Sequence, residues 1–145
     1  MKQATTAYQR GKFFILHTSS CTTDGVWILT EPCIRLSRDC TDDALGEAVR
    51  TTLDASKINV PHPTEWDHGL EHLLAAAGVK SWSTFAKSAL CVEINAEAQT
   101  LVLTPTMNLG PRKGFEHSEQ TIRVPPPASN MVIGSRLREA FLQAR

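Results

Sequence analysis

The stretch LCVEINAEAQTLVLTPT, residues 90–106, decides the fold class. Apolar and polar side chains alternate along 90–95 and again along 100–106, which is the period of a β-strand with one buried face. The four residues at 96–99 are few enough to join two antiparallel strands. The sequence therefore predicts a β-hairpin here, and the rest of the chain must supply the elements that cover it.

Helical patterns occur on both sides of this hairpin. Each combines apolar residues at helical spacing with a residue suited to cap the first turn, and one of them ends at Gly78, a residue typical of helix ends. Acidic residues in the first turn strengthen the first prediction. The helical stretches are 41–57, 64–78, 80–89 and 128–144, with Thr41 or Asp42, Thr64, Ser81 and Ser129 as their N-caps.

Short apolar runs broken by turns indicate further strands. Residues 12–36 read as two or three antiparallel strands, and Asp24-Gly25 is a good turn signal. Residues 108–119 read as a loop, and 120–125 as a short strand stopped by the prolines that follow. Strands and helices in separate runs predict a single α+β domain over 1–145, in which a mostly antiparallel sheet packs against three to four helices.

The two periodicities also predict which large side chains are buried. In a helix, apolar residues that recur every three to four positions form a stripe that faces the core. In a strand, every second residue faces the core. The residues expected in the core are Trp27, Leu45, Val49, Trp66, Leu70, Leu73, Trp82, Phe85, Leu101, Leu137 and Phe141.

Composition limits the functional classes. Of the 145 residues 41% are hydrophobic, and 15 Lys and Arg balance 15 Asp and Glu, so no basic excess points to a nucleic-acid partner. The apolar run at 13–16 is too short for a signal peptide or a membrane span, so we expect a cytoplasmic protein with no membrane contact. The four cysteines show no C-x-x-C pair and are expected to be free thiols.

The stretch PTEWDHGLEH, residues 63–72, raises the question of a metal site. Glu65, His68 and His72 fall on one face of the predicted helix, and side chains at this spacing can converge on a divalent ion. The order differs from H-E-x-x-H, however, and the same triplet is what a solvated helix face looks like. A zinc set drawn from His17, Cys21, Cys33 and Cys40 is a further alternative. We predict no metal and no cofactor.

Candidate catalytic groups are equally weak. Cys21, in TSSCTTDG, would need a histidine base, and a Ser/Thr/Asp-rich turn explains the same stretch. Arg112 and Lys113 could hold an anion, although Pro111 removes a backbone donor and a solvated loop is the simpler interpretation. No catalytic site is predicted, and the pattern favours a protein that binds another protein.

Five ordered blocks carry a family resemblance: TTDGVW at 22–27, LGEAV at 45–49, NVPHP at 59–63, GVKSWSTFAKSA at 78–89 and NLGPRKGF at 108–115. Together they resemble the immunity proteins of bacterial contact-dependent growth inhibition systems, from about Tyr8 to the last helix. The resemblance implies a cytoplasmic, non-enzymatic protein that binds the cognate CdiA C-terminal toxin domain and neutralises it. Such toxins are often nucleases that cleave RNA.

A toxin that holds RNA needs cationic groups, so its inhibitor should offer carboxylates. The densest acidic run is Asp39, Asp42, Asp43 and Glu47, and these four are the predicted toxin-binding residues. The competing interpretation is helix capping by Asp42 with dipole support from Asp43. A monomer is expected. The alternative function is a small cysteine- or metal-dependent enzyme of unknown substrate.

Overall fold

A computed structural model describes residues 2–64 and 67–145, with only the backbone at 67 and 68. It has seven strands and four helices in the described part of the chain. In chain order the elements are β1 (Gln3–Arg10), β2 (Phe13–Cys21), β3 (Trp27–Ser37), α1 (Asp42–Asp54), α2 (Asp67–Ala77), α3 (Trp82–Ala86), β4 (Leu90–Glu97), β5 (Thr100–Asn108), β6 (Phe115–His117), β7 (Ile122–Val124) and α4 (Asn130–Gln143).

The strands form one sheet in the order β3-β2-β1-β4-β5-β6, and β7 also pairs with β5. All strand pairs are antiparallel, and the central strand β1 places Tyr8 opposite Ile15 on β2 and Cys91 on β4. The predicted hairpin is β4 and β5, and its turn holds Ala98 and Gln99 at positive φ. The prediction of an α+β fold with a mostly antiparallel sheet and three to four helices is confirmed.

Helices cover the two faces of this sheet unequally. On the face that we call face A, α1 and α4 enclose a large apolar cluster that includes Phe14, Leu45 and Leu137. On the opposite face, face B, α2 and α3 cover a smaller cluster around Tyr8 and Phe85. Face B therefore has less helical cover than face A.

The strand β1 is absent from the sequence prediction. Its segment QATTAYQR is mostly polar, yet Thr5 is buried because its hydroxyl donates to the carbonyl of His17 (2.7 Å) and lies 2.9 Å from Thr52 Oγ1. Buried hydroxyls are tolerated when they are hydrogen-bonded. The residues that bury Thr5 come from β2 and α1, so the alternation of polar and apolar residues within β1 does not predict its burial.

Two other boundaries differ from the prediction. The runs at 26–30 and 34–37 join into one strand, β3, whose two extra residues lie opposite the step between His17 and Thr18 as a β-bulge. The predicted loop at 108–119 contains the three-residue strand β6, which pairs with the end of β5. The caps Ser81 and Ser129 are confirmed, and α1 is capped by Thr41 rather than Asp42.

The core prediction is wrong for Trp27, which is 42% exposed. It stands at the start of β3, beyond the area that α2 and α3 cover. Leu70 and Trp82 are only half-buried, and Trp66 lies outside the described residues. The remaining predicted core residues are buried: Leu45, Val49, Leu73, Phe85, Leu101, Leu137 and Phe141.

Candidate functional site

The predicted acidic residues lie at and just before the start of α1. Thr41 accepts a hydrogen bond from Ala44 N (3.0 Å) and so caps the helix. The side chains of Asp39, Asp43 and Glu47 are exposed, and within the described residues none of the three carboxylates makes an ion pair. These carboxylates are open to a partner.

Asp42 has a different environment, because Arg138 of α4 binds it. Arg138 Nε donates to Asp42 Oδ1 at 2.7 Å, and its other nitrogens donate to the carbonyl oxygens of Arg38 (3.0 Å) and Cys40. The guanidinium also lies 5.2 Å from the centre of the Phe14 ring. Asp42 therefore anchors the start of α1 to α4, and its charge is compensated within the protein.

A close crossing fixes α1 against α4. A Cβ on Gly46 would overlap the carbonyl oxygen of Asn130, and one on Gly134 would overlap that of Asp42. Only glycine permits such backbone contact between helices. Arg50 extends the junction, since its Nε donates to Asn130 Oδ1 at 2.7 Å and its Nη2 donates to Ala128 O. The outer surface of α1 is thus held on a rigid support.

A groove of about 480 Å³ opens where this junction ends. Its floor is apolar and includes the buried side chains of Leu53, Leu101 and Ile133. The exposed carboxylate of Asp54 stands at its rim. Asp54 continues the line of Asp43 and Glu47 along α1, because residues seven and eleven apart return to the same helix face. The sequence prediction missed this residue although the spacing was visible.

The remaining groove wall comes from other parts of the chain. It consists of Gln3 of β1, the β4–β5 turn and the segment 126–128. The sequence predicted only a turn at 96–99, prolines that stop a strand, and a helix that begins at 128. Segments from both ends and the middle of the chain build the groove, so no local pattern could have predicted it.

A second concavity, which we call the Trp27 hollow, lies on face B. It measures about 250 Å³ and is lined by Trp27, Ser19, Glu93, Asn95 and His117, among others. Its one described carboxylate, Glu93, is in contact with His117 Nε2. An exposed tryptophan is a common anchor in protein interfaces, but the carboxylate beside it already has a partner.

The proposed cysteine chemistry finds little support in the geometry. No hydrogen bond joins Cys21 to a histidine among the described residues, and His17 Nδ1 lies 3.0 Å from Thr18 O. Burial raises the pKa of Cys33 to about 11, with Glu31 adding to the effect, so that thiol is a poor nucleophile. Cys91 is shifted in the same direction, chiefly by burial.

His62 offers a superficial likeness to a catalytic triad. Its Nδ1 lies 3.4 Å from Asp24 Oδ2 and 3.3 Å from Thr22 Oγ1. A triad uses both ring nitrogens, one toward the nucleophile and one toward the carboxylate. Here the same nitrogen faces both groups, so the pair cannot relay a proton in that manner.

Of the two metal alternatives, only the set of His17 and three cysteines lies wholly within the described residues. In the metal triplet, Glu65 and the side chain of His68 lie outside the described residues, and His72 Nε2 contacts Glu31 Oε1 at 2.7 Å. Among the described residues, no three His, Cys, Asp or Glu side chains lie close enough together to bind a metal ion. The set of His17, Cys21, Cys33 and Cys40 is therefore not brought together. No described helix is long and apolar enough to span a membrane.

Comparison with known proteins gives the following matches. No curated protein matches the sequence. A protein of unknown function from Neisseria meningitidis has the same fold, with a TM-score of 0.83 at 17% identity over 100% of this chain and 96% of its own. So does a chain of a CdiA-CT/CdiI toxin and immunity complex from Yersinia pseudotuberculosis, with a TM-score of 0.83 at 16% identity over 100% and 98%.

At this identity the two structures establish the fold alone. The family model described as CDI immunity protein, however, matches residues 3–144, which is nearly the whole chain. The chain therefore belongs to the CDI immunity protein family.

Proposed function

We propose that this protein binds the C-terminal toxin domain of a CdiA effector in the cytoplasm and neutralises it without catalysis of its own. The observation that carries the proposal is the family match over residues 3–144. The Yersinia pseudotuberculosis structure of the same fold is a toxin and immunity complex, which supports a toxin as partner.

We further propose that the toxin is a nuclease, with RNA as its substrate. A domain that holds RNA presents cationic side chains to the phosphates, and a plug for that surface offers carboxylates in their place. With a net charge of zero this protein can do so only through a local patch. Asp39, Asp43 and Glu47 supply the patch, and Asp42 belongs to it with its charge shared by Arg138.

The local structure of α1 separates this role from helix capping. Thr41 is the cap, and Arg138 holds Asp42, so the start of α1 does not depend on Asp43 and Glu47 beyond a small dipole effect. Both side chains point outward from a helix that Gly46 and Gly134 fix in place. The helix backbone that carries them is preorganised, so binding needs to order only the two side chains.

Charge reversal tests the patch. The change Asp43→Lys with Glu47→Lys should leave the melting temperature nearly unchanged, weaken toxin binding by several kcal/mol and make the remaining affinity less sensitive to salt. The matched control is Glu116→Lys with Glu119→Lys, an equal charge change at exposed residues of another region. Calorimetric titration of the toxin domain encoded beside this chain measures both. Unchanged affinity in the α1 variant would exclude the patch as the interface.

The broader proposal has its own test. Purified protein should inhibit that toxin at one-to-one stoichiometry, and chelator should leave both its melting temperature and its inhibition unchanged. A stoichiometric metal whose removal lowers the melting temperature would instead favour the metal-dependent enzyme.

A further inference from the structure

We propose that the groove at the end of α1 receives a lysine or arginine side chain of the toxin, with its aliphatic part on the apolar floor and its charge on Asp54. This inference rests on the proposed function and deepens it, because it names the residue class that the toxin inserts. It also extends the acidic patch into a cavity, where a contact can be buried.

The chemistry of the groove selects an amphipathic cation. Long basic side chains lay their methylene stems along apolar surface and keep the charged group at a polar rim. The floor of Leu53, Leu101 and Ile133 suits the stem. Asp54, whose carboxylate has no hydrogen bond or ion pair within the described residues, suits the charged end.

The other charged group at the groove is a guanidinium, which keeps its positive charge because its hydrogen-bond acceptors are neutral. Arg50 lines the wall, but its Nε and Nη2 already donate to Asn130 Oδ1 and Ala128 O. Gln3 and Gln99, the other polar lining side chains, carry amide oxygens that can accept further hydrogen bonds from an incoming ammonium or guanidinium group. The acceptors for an incoming cation are therefore Asp54 and the two amides, while the hydrogen bonds of Arg50 direct its guanidinium toward residues 128 and 130.

Position adds a second argument. Asp43, Glu47 and Asp54 follow one line along the outer face of α1, which spans about 16 Å from the first to the last. Exposed apolar side chains, Met131 and Val132, stand at the start of α4, next to the groove residue Ile133. An apolar centre flanked by charges is the usual anatomy of a protein interface.

The Trp27 hollow is the rival surface, and charge argues against it for a cationic partner. Its Glu93 is paired with His117, so an incoming cation would have to displace that contact. It also lies on face B, away from the α1 carboxylates.

Two groove variants test the proposal by different means. Asp54→Lys reverses the charge that would hold the cation, and Gln3→Trp fills the groove from the first residue of β1, where a strand tolerates a large aromatic side chain. Glu119→Lys is the matched charge control, and Trp27→Ala probes the rival surface. Each variant is first melted alone to confirm folding, then titrated calorimetrically with the toxin domain encoded beside this chain.

We expect each groove variant to weaken binding about 30-fold or more, and both controls to bind like the wild type. A folded Asp54→Lys or Gln3→Trp protein with wild-type affinity would overturn the proposal. So would a loss confined to Trp27→Ala, which would place the toxin on face B. If the wild type itself does not bind the toxin, the proposed function fails, and that result is distinct from the other two.

Discussion

On face A, α1 and α4 cross with backbone against backbone, whereas on face B α2 and α3 leave part of the sheet open beside Trp27. The first arrangement needs glycine at Gly46 and Gly134 and buries a large apolar cluster. The second buries fewer side chains and leaves a tryptophan 42% exposed. The α1–α4 crossing therefore fixes the outer surface of face A, whereas part of the sheet on face B is not covered by a helix.

The two clusters also differ in chemistry. The cluster on face A is almost entirely aliphatic and aromatic, and Arg138 closes it at one end. Face B instead buries three titratable side chains, Tyr8, His17 and Cys91, whose ionisation burial suppresses. We therefore expect the largest losses of stability from substitutions on face A and the pH dependence of stability from face B.

Truncation of one large side chain on each face tests the difference in burial. Phe141→Ala should cost about 3–5 kcal/mol of unfolding free energy, because Phe141 is buried against Phe14 with ring centres 5.4 Å apart. Leu70→Ala on face B should cost about 1–2 kcal/mol, since Leu70 is only half-buried. Urea denaturation gives both values, and equal losses would contradict the comparison.

The sequence predicts the parts of this fold that depend on local pattern. The β4–β5 hairpin and the caps Ser81 and Ser129 follow from alternation and from side chains that bond nearby backbone. β1 does not, because Thr5 is buried by partners on β2 and α1. A polar strand at the centre of a sheet gives no local signal.

The same limit applies to the site. Asp43 and Glu47 could be singled out because they share a helix face, and Asp54 continues that face. The groove itself combines α1 with the β4–β5 turn and the segment 126–128, so its existence depends on tertiary packing. The prediction that Trp27 is buried is wrong, because strand periodicity does not show how far α2 extends over the sheet.

The buried His17 on face B should make the stability of the protein depend on pH. Burial lowers the pKa of His17 from 6.5 to about 4, despite the hydrogen bond to Thr18 O that acts in the opposite direction. Between these values the unfolded chain binds more protons than the folded one, so stability is full above about pH 6.5 and falls as the pH approaches 4. The loss should total about 3 kcal/mol, from the size of the pKa shift.

Denaturation at several pH values checks this effect against two variants. His17→Gln should remove most of the pH slope between 4 and 6.5, while His72→Gln, at an exposed histidine paired with Glu31, should retain it. If wild type and His17→Gln show the same slope, face B is not the pH-sensitive side.

The smallest change in unfolding free energy is expected from alanine substitutions at two helix glycines, Gly134 and Gly69. A methyl group on Gly134 would overlap Asp42 O, and one on Gly69 of α2 would lie 2.6 Å from Leu29 O at the edge of the sheet, so both overlap backbone, the first more severely. Replacing a helix glycine by alanine gains about 1 kcal/mol of helix propensity, but overpacking against fixed backbone typically costs 1–3 kcal/mol or more. Gly134→Ala should therefore lose about 2 kcal/mol net, because both helices of that crossing are held by Arg138 and Arg50 and cannot separate cheaply.

Gly69→Ala should lose less, because α2 can shift at the sheet edge and because the gain in propensity offsets part of the overlap. Gly134→Ala should also weaken toxin binding, since moving α4 away from α1 displaces Ile133 from the groove floor and alters the support of Asp43 and Glu47. Chemical denaturation and toxin titration of the two alanine variants decide the matter together. A Gly69→Ala protein that loses as much stability and affinity as Gly134→Ala would show that α2, and not the α1–α4 crossing, supports the binding surface.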